Sequence, residues 1–233
     1  MSLNTLMGRF DSVLVLDTET TGINCKTDEI IELAVLLAKP ENGLLIAEDE
    51  MDVFIRLSPG RTLPPAITRL TGITAEQLED EGIEKSEAAR RFCQMLLGER
   101  TLIVAYNAQF DLCFLYYFLH RLGQADALRG VKMLDAMTVY KDRRPYPHKL
   151  ANAVDAYRLK TQNTHRAIDD AKATLELLAA MDAERPDLAE YLNLFGYNPK
   201  YGISGPKIAS IQYLPQSYDG AQPLYMQNIT IPL

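Results

Sequence analysis

No stretch of this 233-residue sequence approaches the roughly 20 consecutive apolar residues that a membrane-spanning helix needs, and no secretory leader precedes the first apolar run. Both absences lead us to expect no membrane partner. Cysteine is scarce: Cys25, Cys93 and Cys113 form neither a CxxC pair nor any metal-ligand spacing. Buried free thiols in a reducing cytoplasm are therefore the expectation, which sets aside a disulfide scaffold and a zinc site. A GxGxxG fingerprint is missing, so the glycine after Thr21 does not mark a dinucleotide site. There is no internal repeat and no low-complexity tract. Positive charge is also short. A net charge of −7 argues against adhesion to nucleic acid through a globally basic surface. It leaves room for a nuclease, because metal-holding carboxylates raise the acid count and basic contacts can be local.

What is present is organised around Val13-Leu14-Val15-Leu16-Asp17-Thr18-Glu19-Thr20-Thr21-Gly22. It begins as a buried strand, and two carboxylates then interrupt it at i and i+2. Alternation puts Asp17 and Glu19 on the face shared by Val13 and Val15. Like charges side by side at the end of an apolar strand repel, and paired carboxylates are ligands for hard cations such as Mg²⁺ or Mn²⁺. On this segment alone, two solvated acids in a turn explain the pattern equally well.

Further along, Ile30 to Ala38 reads as a second strand with Glu32 as its only charge, Asn42-Gly43 as a loop or hairpin turn, and Val53 to Leu57 as a third strand. Proline near residue 64 opens one short helix and Thr71-Gly72-Ile73-Thr74 turns into another. Glu84 to Leu97 is amphipathic and stopped by Gly98. Leu102 to Ala105 is a buried strand, and a helix runs on to about Leu122, with Asn107 placed to cap it. On that helix Asp111 heads a stripe of Phe114, Leu115, Phe118 and Leu122. Val131 to Val139 reads as the last core strand, followed by a basic, proline-containing loop from Lys141 to Lys149 and a helix over Leu150 to Tyr157. A helix to about Met181 buries Ala167, Ala171, Thr174, Leu175 and Leu178; Asp170 shares that stripe and Asp169 does not. Strands alternating with helices after the opening meander predict an α/β sheet of mixed direction.

Four acids thus face inward, at Asp17, Glu19, Asp111 and Asp170, with His165 five residues before the last. Buried unpaired charge is costly, so four together imply cations. Carboxylates with a nearby histidine suit two-metal phosphoryl chemistry. Asp17-Thr18-Glu19-Thr20-Thr21-Gly22, Asn107-Ala108-Gln109-Phe110-Asp111 and His165-Arg166-Ala167-Ile168-Asp169-Asp170-Ala171 resemble the three motifs of the DEDD superfamily of exonucleases. The HxAxxD spacing is similar to its histidine subclass, the DnaQ-like proofreading exonucleases of bacterial replicative polymerases. The resemblance covers about residues 10 to 182.

That resemblance implies a ribonuclease-H-like mixed sheet flanked by helices, with two Mg²⁺ or Mn²⁺ ions per site, and hydrolysis of the 3′-terminal phosphodiester to release a nucleoside monophosphate. It gives Asp17, Glu19, Asp111 and Asp170 to the metals and makes His165 the general base. Thr20, Thr21, Gly22 and Ile23 would meet the terminal nucleotide through backbone amides and an apolar contact. By the same resemblance, Thr71, Gly72, Asn107 and Phe110 would be further substrate contacts. The implied partner is a single-stranded or frayed 3′ end of DNA, with a DNA polymerase as a further partner in replication or repair. An RNA-end-trimming enzyme of the same family and a non-catalytic polymerase accessory are the alternatives. Tyr106 departs from the histidine that many relatives carry before the asparagine.

The expected division is an exonuclease domain over 8–182 and, over 183–233, a C-terminal helix with a tyrosine-rich arm. From residue 197 to 233 the arm carries few charges and five of the twelve tyrosines, at 197, 201, 213, 218 and 225. This composition is unlike that of disordered tails. Lys207 to Leu214 alternates as a short strand.

Overall fold

Strand β1, Ser12–Thr20, lies at the centre of a five-stranded sheet because its apolar residues demand cover on both faces. The structure, a computed structural model, describes residues 3, 5–6, 8–41, 44–96, 100–161, 166–216 and 222–227. β1 pairs antiparallel with β2, Ile30–Glu41, which pairs antiparallel with β3, Leu44–Phe54. Three helices follow: α1, Pro65–Thr71; α2, Ala75–Asp80; and α3, Lys85–Met95. Strand β4, Thr101–Ala105, then runs parallel to β1. After α4, Ala108–Arg121, the short strand β5, Lys132–Asp135, extends the sheet in parallel. Helices α5, Ala136–Lys141, α6, Leu150–Tyr157, and α7, Ala167–Glu184, complete the layers. The strand order is β3-β2-β1-β4-β5.

Alternation along β1 sorts the two cores. Val13 and Val15 pack with Ala171, Leu175 and Leu178 of α7, whereas Leu14 and Leu16 pack with Phe92 of α3 and Leu115 and Leu119 of α4. Each fully buried aliphatic side chain contributes about 1.5–3 kcal/mol, so this central strand and its acid-bearing end are held firmly. Local signals set the helix starts. Proline occupies the first turn of α1, and Thr74 and Gln77 form a reciprocal capping box at α2.

Several expectations need correction. The third strand begins at Leu44 rather than Val53, because the acid-rich stretch before Met51 forms an exposed sheet edge, where charge deters pairing with another chain. The apolar run from Val131 to Val139 is not one strand. Asp135 ends it by accepting hydrogen bonds from the backbone of Met137 and Thr138, which caps α5. Asn107 does not cap α4 with its side chain; it sits in the left-handed region at φ 66°, and Asp135 Oδ1 accepts from Ala108 N instead at 3.1 Å. Asn42-Gly43 and Gly98 fall outside the described residues.

The C-terminal segment is packed against this sheet. Strands β6, Leu194–Tyr197, and β7, Gln212–Pro215, form a parallel pair, so the strand expected at Lys207 to Leu214 is shorter and begins later. The helix expected beyond residue 183 is, among the described residues, two 3₁₀ turns at Leu188–Tyr191 and Leu224–Met226. Leu194, Leu214 and Leu224 join the core that covers Val13 and Val15. The basic loop is largely absorbed here. The side chain of Arg143 is only 2% exposed and donates to Asp187 Oδ1 at 2.6 Å and to the carbonyl of Arg185 at 3.2 Å. Arg144 lies over the Tyr157 ring at 4.5 Å and pairs with Glu184.

Buried Asp142 ties the segment down, accepting from Tyr191 Oη at 2.8 Å, Gln216 Nε2 at 2.6 Å and Leu224 N at 2.5 Å. Asp142→Ala leaves three buried donors unmatched and should lower the unfolding free energy by about 3 kcal/mol in a urea titration, since each stranded group costs about 1–3 kcal/mol. An unchanged midpoint would contradict this packing.

Candidate active site

The end of β1 carries the acids, and the sheet's topology brings α7 to meet them. One carboxylate oxygen each from Asp17, Glu19 and Asp170 lies within 4.8 Å of the others. Asp17 and Glu19 point to the α7 side of β1, as alternation predicts, and Asp170 is buried one turn into α7. Asp111 is buried as expected, but it comes from the opposite layer. Its Oδ1 accepts from Thr18 N at 3.0 Å and Thr18 Oγ1 at 2.7 Å, and Thr18 faces α4. The structure therefore gathers three of the four acids into one cluster and holds the fourth against the strand beside it.

Electrostatics follows from this crowding. Burial pushes the Asp17 carboxyl well above the usual carboxylate range, and the charges of Asp111, Asp170 and Glu19 push it further. Burial, then Glu32 and Asp170, raise Glu19 to about 8. Asp111 rises to about 7 through burial, opposed by its hydrogen bonds from Thr18. Oxygen donors crowded enough to hold protons so tightly fit a hard divalent cation, which supplies the missing positive charge.

A pH dependence follows. Both raised groups bind protons more tightly folded than unfolded, so their stabilisation is present below the ordinary carboxylate range. It is lost as pH rises through about 7 and about 8. In EDTA the melting temperature should fall as pH rises across that window, and a divalent cation should restore most at the alkaline end. A flat profile in EDTA would contradict the crowding.

Sequence reasoning missed two residues of this neighbourhood. Glu32 on β2 lies directly opposite Glu19 and is fully buried. Like charges directly opposite destabilise a sheet, and Arg166 compensates Glu32, donating from Nε at 2.9 Å and Nη2 at 2.7 Å. Ala167 N also donates to Glu32 at 3.1 Å, while the guanidinium lies 5.1 Å from the centre of the Phe54 ring. Glu32 thereby anchors the start of α7, three residues before Asp170. A lone charge inside an otherwise apolar strand was the available signal. Glu32→Ala frees this helix end and removes a negative charge near the cluster. Its divalent-cation affinity, measured by calorimetry, should fall about 10- to 100-fold, and unchanged affinity would rule out the anchoring role. Asp135 is the other missed residue, tying β5 to the first turn of α4.

The expected substrate contacts divide. Ile23 is 90% exposed at the end of the β1 turn, and Asn107 is exposed before α4. Phe110 is half-buried and stacks on Phe114 at 4.8 Å. Gly22 leaves no room for a Cβ, which would strike the Asp28 carboxylate. Thr21 cannot offer its amide to a nucleotide, because Thr21 N donates to Glu29 O at 2.9 Å and Thr21 Oγ1 accepts from Glu29 N at 3.0 Å. Thr20 Oγ1 is likewise engaged with the Gly22 carbonyl at 2.6 Å, and Thr71 Oγ1 with Ile67 O at 3.1 Å. Gly72 closes α1 in the left-handed conformation.

His165 lies outside the described residues, along with 162–164. His148 is buried, its Nε2 2.9 Å from the Arg144 carbonyl, and burial lowers its affinity for protons. His120 ends α4, stacked near Tyr116. All three cysteines are free thiols; Cys93 is half-buried, and Cys25 and Cys113 are buried. Among the described residues no helix is long and apolar enough to cross a membrane.

A mixed five-stranded sheet flanked by helices, with acids at the end of its central strand, defines a ribonuclease-H-like architecture. The RNase_T exonuclease family model matches residues 14–178, and the chain belongs to that family. Residues of the chain are 31% identical over 169 positions to a PolC-type DNA polymerase III of Caldanaerobacter subterraneus subsp. tengcongensis, covering 72% of this chain and 11% of that protein. They are 34% identical over 166 positions to the 3′-5′ exonuclease DinG of Bacillus subtilis, covering 69% of this chain and 16% of that one. The fold is similar to that of E. coli exonuclease I in complex with a dT13 oligonucleotide. The TM-score is 0.69 at 18% identity, over 78% of this chain and 43% of that one. The chain thus spans a small fraction of the length of these curated relatives.

Proposed function

We propose that this chain is a metal-dependent 3′→5′ exonuclease that removes nucleoside monophosphates from single-stranded or frayed DNA ends. The observation that carries the reading is the approach of the Asp17, Glu19 and Asp170 carboxylates to within 4.8 Å at the end of the central strand. Two Mg²⁺ or Mn²⁺ ions would supply Lewis-acid stabilisation of the charge that develops on the phosphodiester. Asp17, Glu19 and Asp170 would hold those ions through their carboxylate oxygens, and Asp111 would support the site from the α4 side. His165, by its place in the third motif, takes the proton from the attacking water on an imidazole nitrogen. Exposed Ile23 offers an apolar surface to the terminal nucleotide, and Asn107 and Phe110 border the same end of the sheet. Glu32 and Arg166 hold the start of α7, and through it Asp170.

Similarity to a DNA polymerase and to a 3′-5′ exonuclease supports DNA as the substrate, proofreading or repair as the setting, and a DNA polymerase as a partner. A time course on matched 5′-labelled DNA and RNA 20-mers with Mg²⁺ or Mn²⁺ tests the choice, because only contacts to the 2′-hydroxyl separate the two. Faster shortening of the DNA supports the reading. Faster shortening of the RNA favours an end-trimming ribonuclease, and no shortening of either leaves a non-catalytic accessory.

A further inference from the structure

Beyond the carboxylate cluster, the carboxyl ends of β4 and β5 open onto a pocket of about 170 Å³. Asn107, Asp135 and Lys141 line one side, and Tyr197, Asn198 and Ile203 line the other. The first side belongs to the nuclease core: Asn107 stands one helical turn before Asp111, and Asp135 Oδ1 holds the amide that starts α4. The second side comes from the C-terminal segment, which lies beyond the family match at residues 14–178.

That second side is fixed rather than loosely draped. Gln109, in the second motif, donates from Nε2 to the carbonyls of Ser204 at 2.9 Å and Pro206 at 2.8 Å, and its Oε1 accepts from Tyr213 Oη at 2.6 Å. Gly196 N donates to Thr138 Oγ1 at 3.0 Å, which locks β6 against α5. The pocket is therefore preorganised beside the motif that carries Asp111. It brings together a buried lysine on the last turn of α5, an amide side chain and a half-buried tyrosine. A polyanionic strand approaching a chain of net charge −7 needs local cations, and an aromatic face accepts any base by stacking.

We propose that this pocket is a second nucleotide site, holding a phosphodiester of the strand upstream of the 3′-terminal nucleotide. Lys141 meets the phosphate, and Tyr197 stacks on the attached base at the rim. The proposal rests on the nuclease reading above.

Two substrates separate it from that reading. Thymidine 5′-monophosphate p-nitrophenyl ester fills only the terminal position, whereas a fluorescein-labelled dT10 spans both. With the full chain, Lys141→Met and Tyr197→Ala should each raise KM for dT10 about tenfold, the scale of one stacked base or one phosphate contact. Turnover of the ester should stay within about twofold. Lys141→Arg should recover most of the dT10 binding. Lys141→Met should also flatten the salt dependence of dT10 binding, read by anisotropy in Ca²⁺, by about one unit of log-log slope. If Lys141→Met does not fold, Tyr197→Ala carries the comparison. Equal losses on ester and dT10, or unchanged dT10 binding in folded variants, overturn the second site. A wild-type chain that cleaves neither substrate removes the nuclease reading itself, and this proposal with it.

Discussion

Asp17→Ala should abolish hydrolysis while leaving the fold intact. Asp17 shares a cluster of three carboxylates with Glu19 and Asp170 and stands among the charges of Asp111, Asp170 and Glu19. Losing its carboxylate removes an anchor for the cation that offsets charge on the reacting phosphodiester. Such stabilisation amounts to several kcal/mol, and about 1.4 kcal/mol is a factor of ten in rate, so turnover should fall on the order of 10³-fold or more. Stability should move the other way. At a pH above the raised values of these carboxyls the cluster in EDTA crowds like charges, and deleting one relieves repulsion. There the variant should melt no lower than wild type in EDTA and gain less from added Mn²⁺. Full activity of Asp17→Ala, or a clear loss of stability in EDTA, contradicts the assigned role.

His165→Ala should lose roughly two to four orders of magnitude in turnover, the usual contribution of a general base, and should keep its affinity for Mn²⁺. The contrast is with His148. That ring is buried, with Nε2 2.9 Å from the Arg144 carbonyl and its edge or face against Tyr140 and Tyr146. His148→Ala opens a hole in that packing, so it should lower the melting temperature and leave turnover of the folded protein near wild type. Steady-state rates and melting curves of the two variants decide between them. If His148→Ala costs more turnover than His165→Ala, the third motif has been assigned wrongly.

Much of the site was legible because local periodicity carries it. Alternation along β1 placed Asp17 and Glu19 on one face, and the 3.6-residue stripes placed Asp111 and Asp170 inward; each lies where its pattern put it. What periodicity cannot tell is which side of the sheet a helix covers. Asp111 therefore reaches Thr18 from the α4 layer, while Asp170 approaches from the α7 layer. Glu32 was legible only as an oddity, because its partner Arg166 lies 134 positions away. The same limit hid Arg143, which reads as a solvated loop residue until the C-terminal segment folds back and supplies Asp187. Asp135 was concealed for a local reason. The apolar run around it suits a strand, and a single capping carboxylate was enough to convert its second half into helix. Thr21 shows a limit of motif membership: the motif pointed to its backbone amide as a substrate contact, but that amide already donates to Glu29 O.

The claim that a cation held by the β1 and α7 carboxylates cleaves the 3′ end is tested most directly by one end-labelled oligonucleotide. A single-stranded DNA labelled on its last nucleotide is incubated with the chain in Mn²⁺, in EDTA, and in EDTA followed by excess Mn²⁺. The account predicts that label leaves as nucleoside monophosphate from the first turnovers in Mn²⁺, that none leaves in EDTA, and that re-added Mn²⁺ restores release. Release of the label in EDTA, or its loss within longer internal fragments, would contradict it.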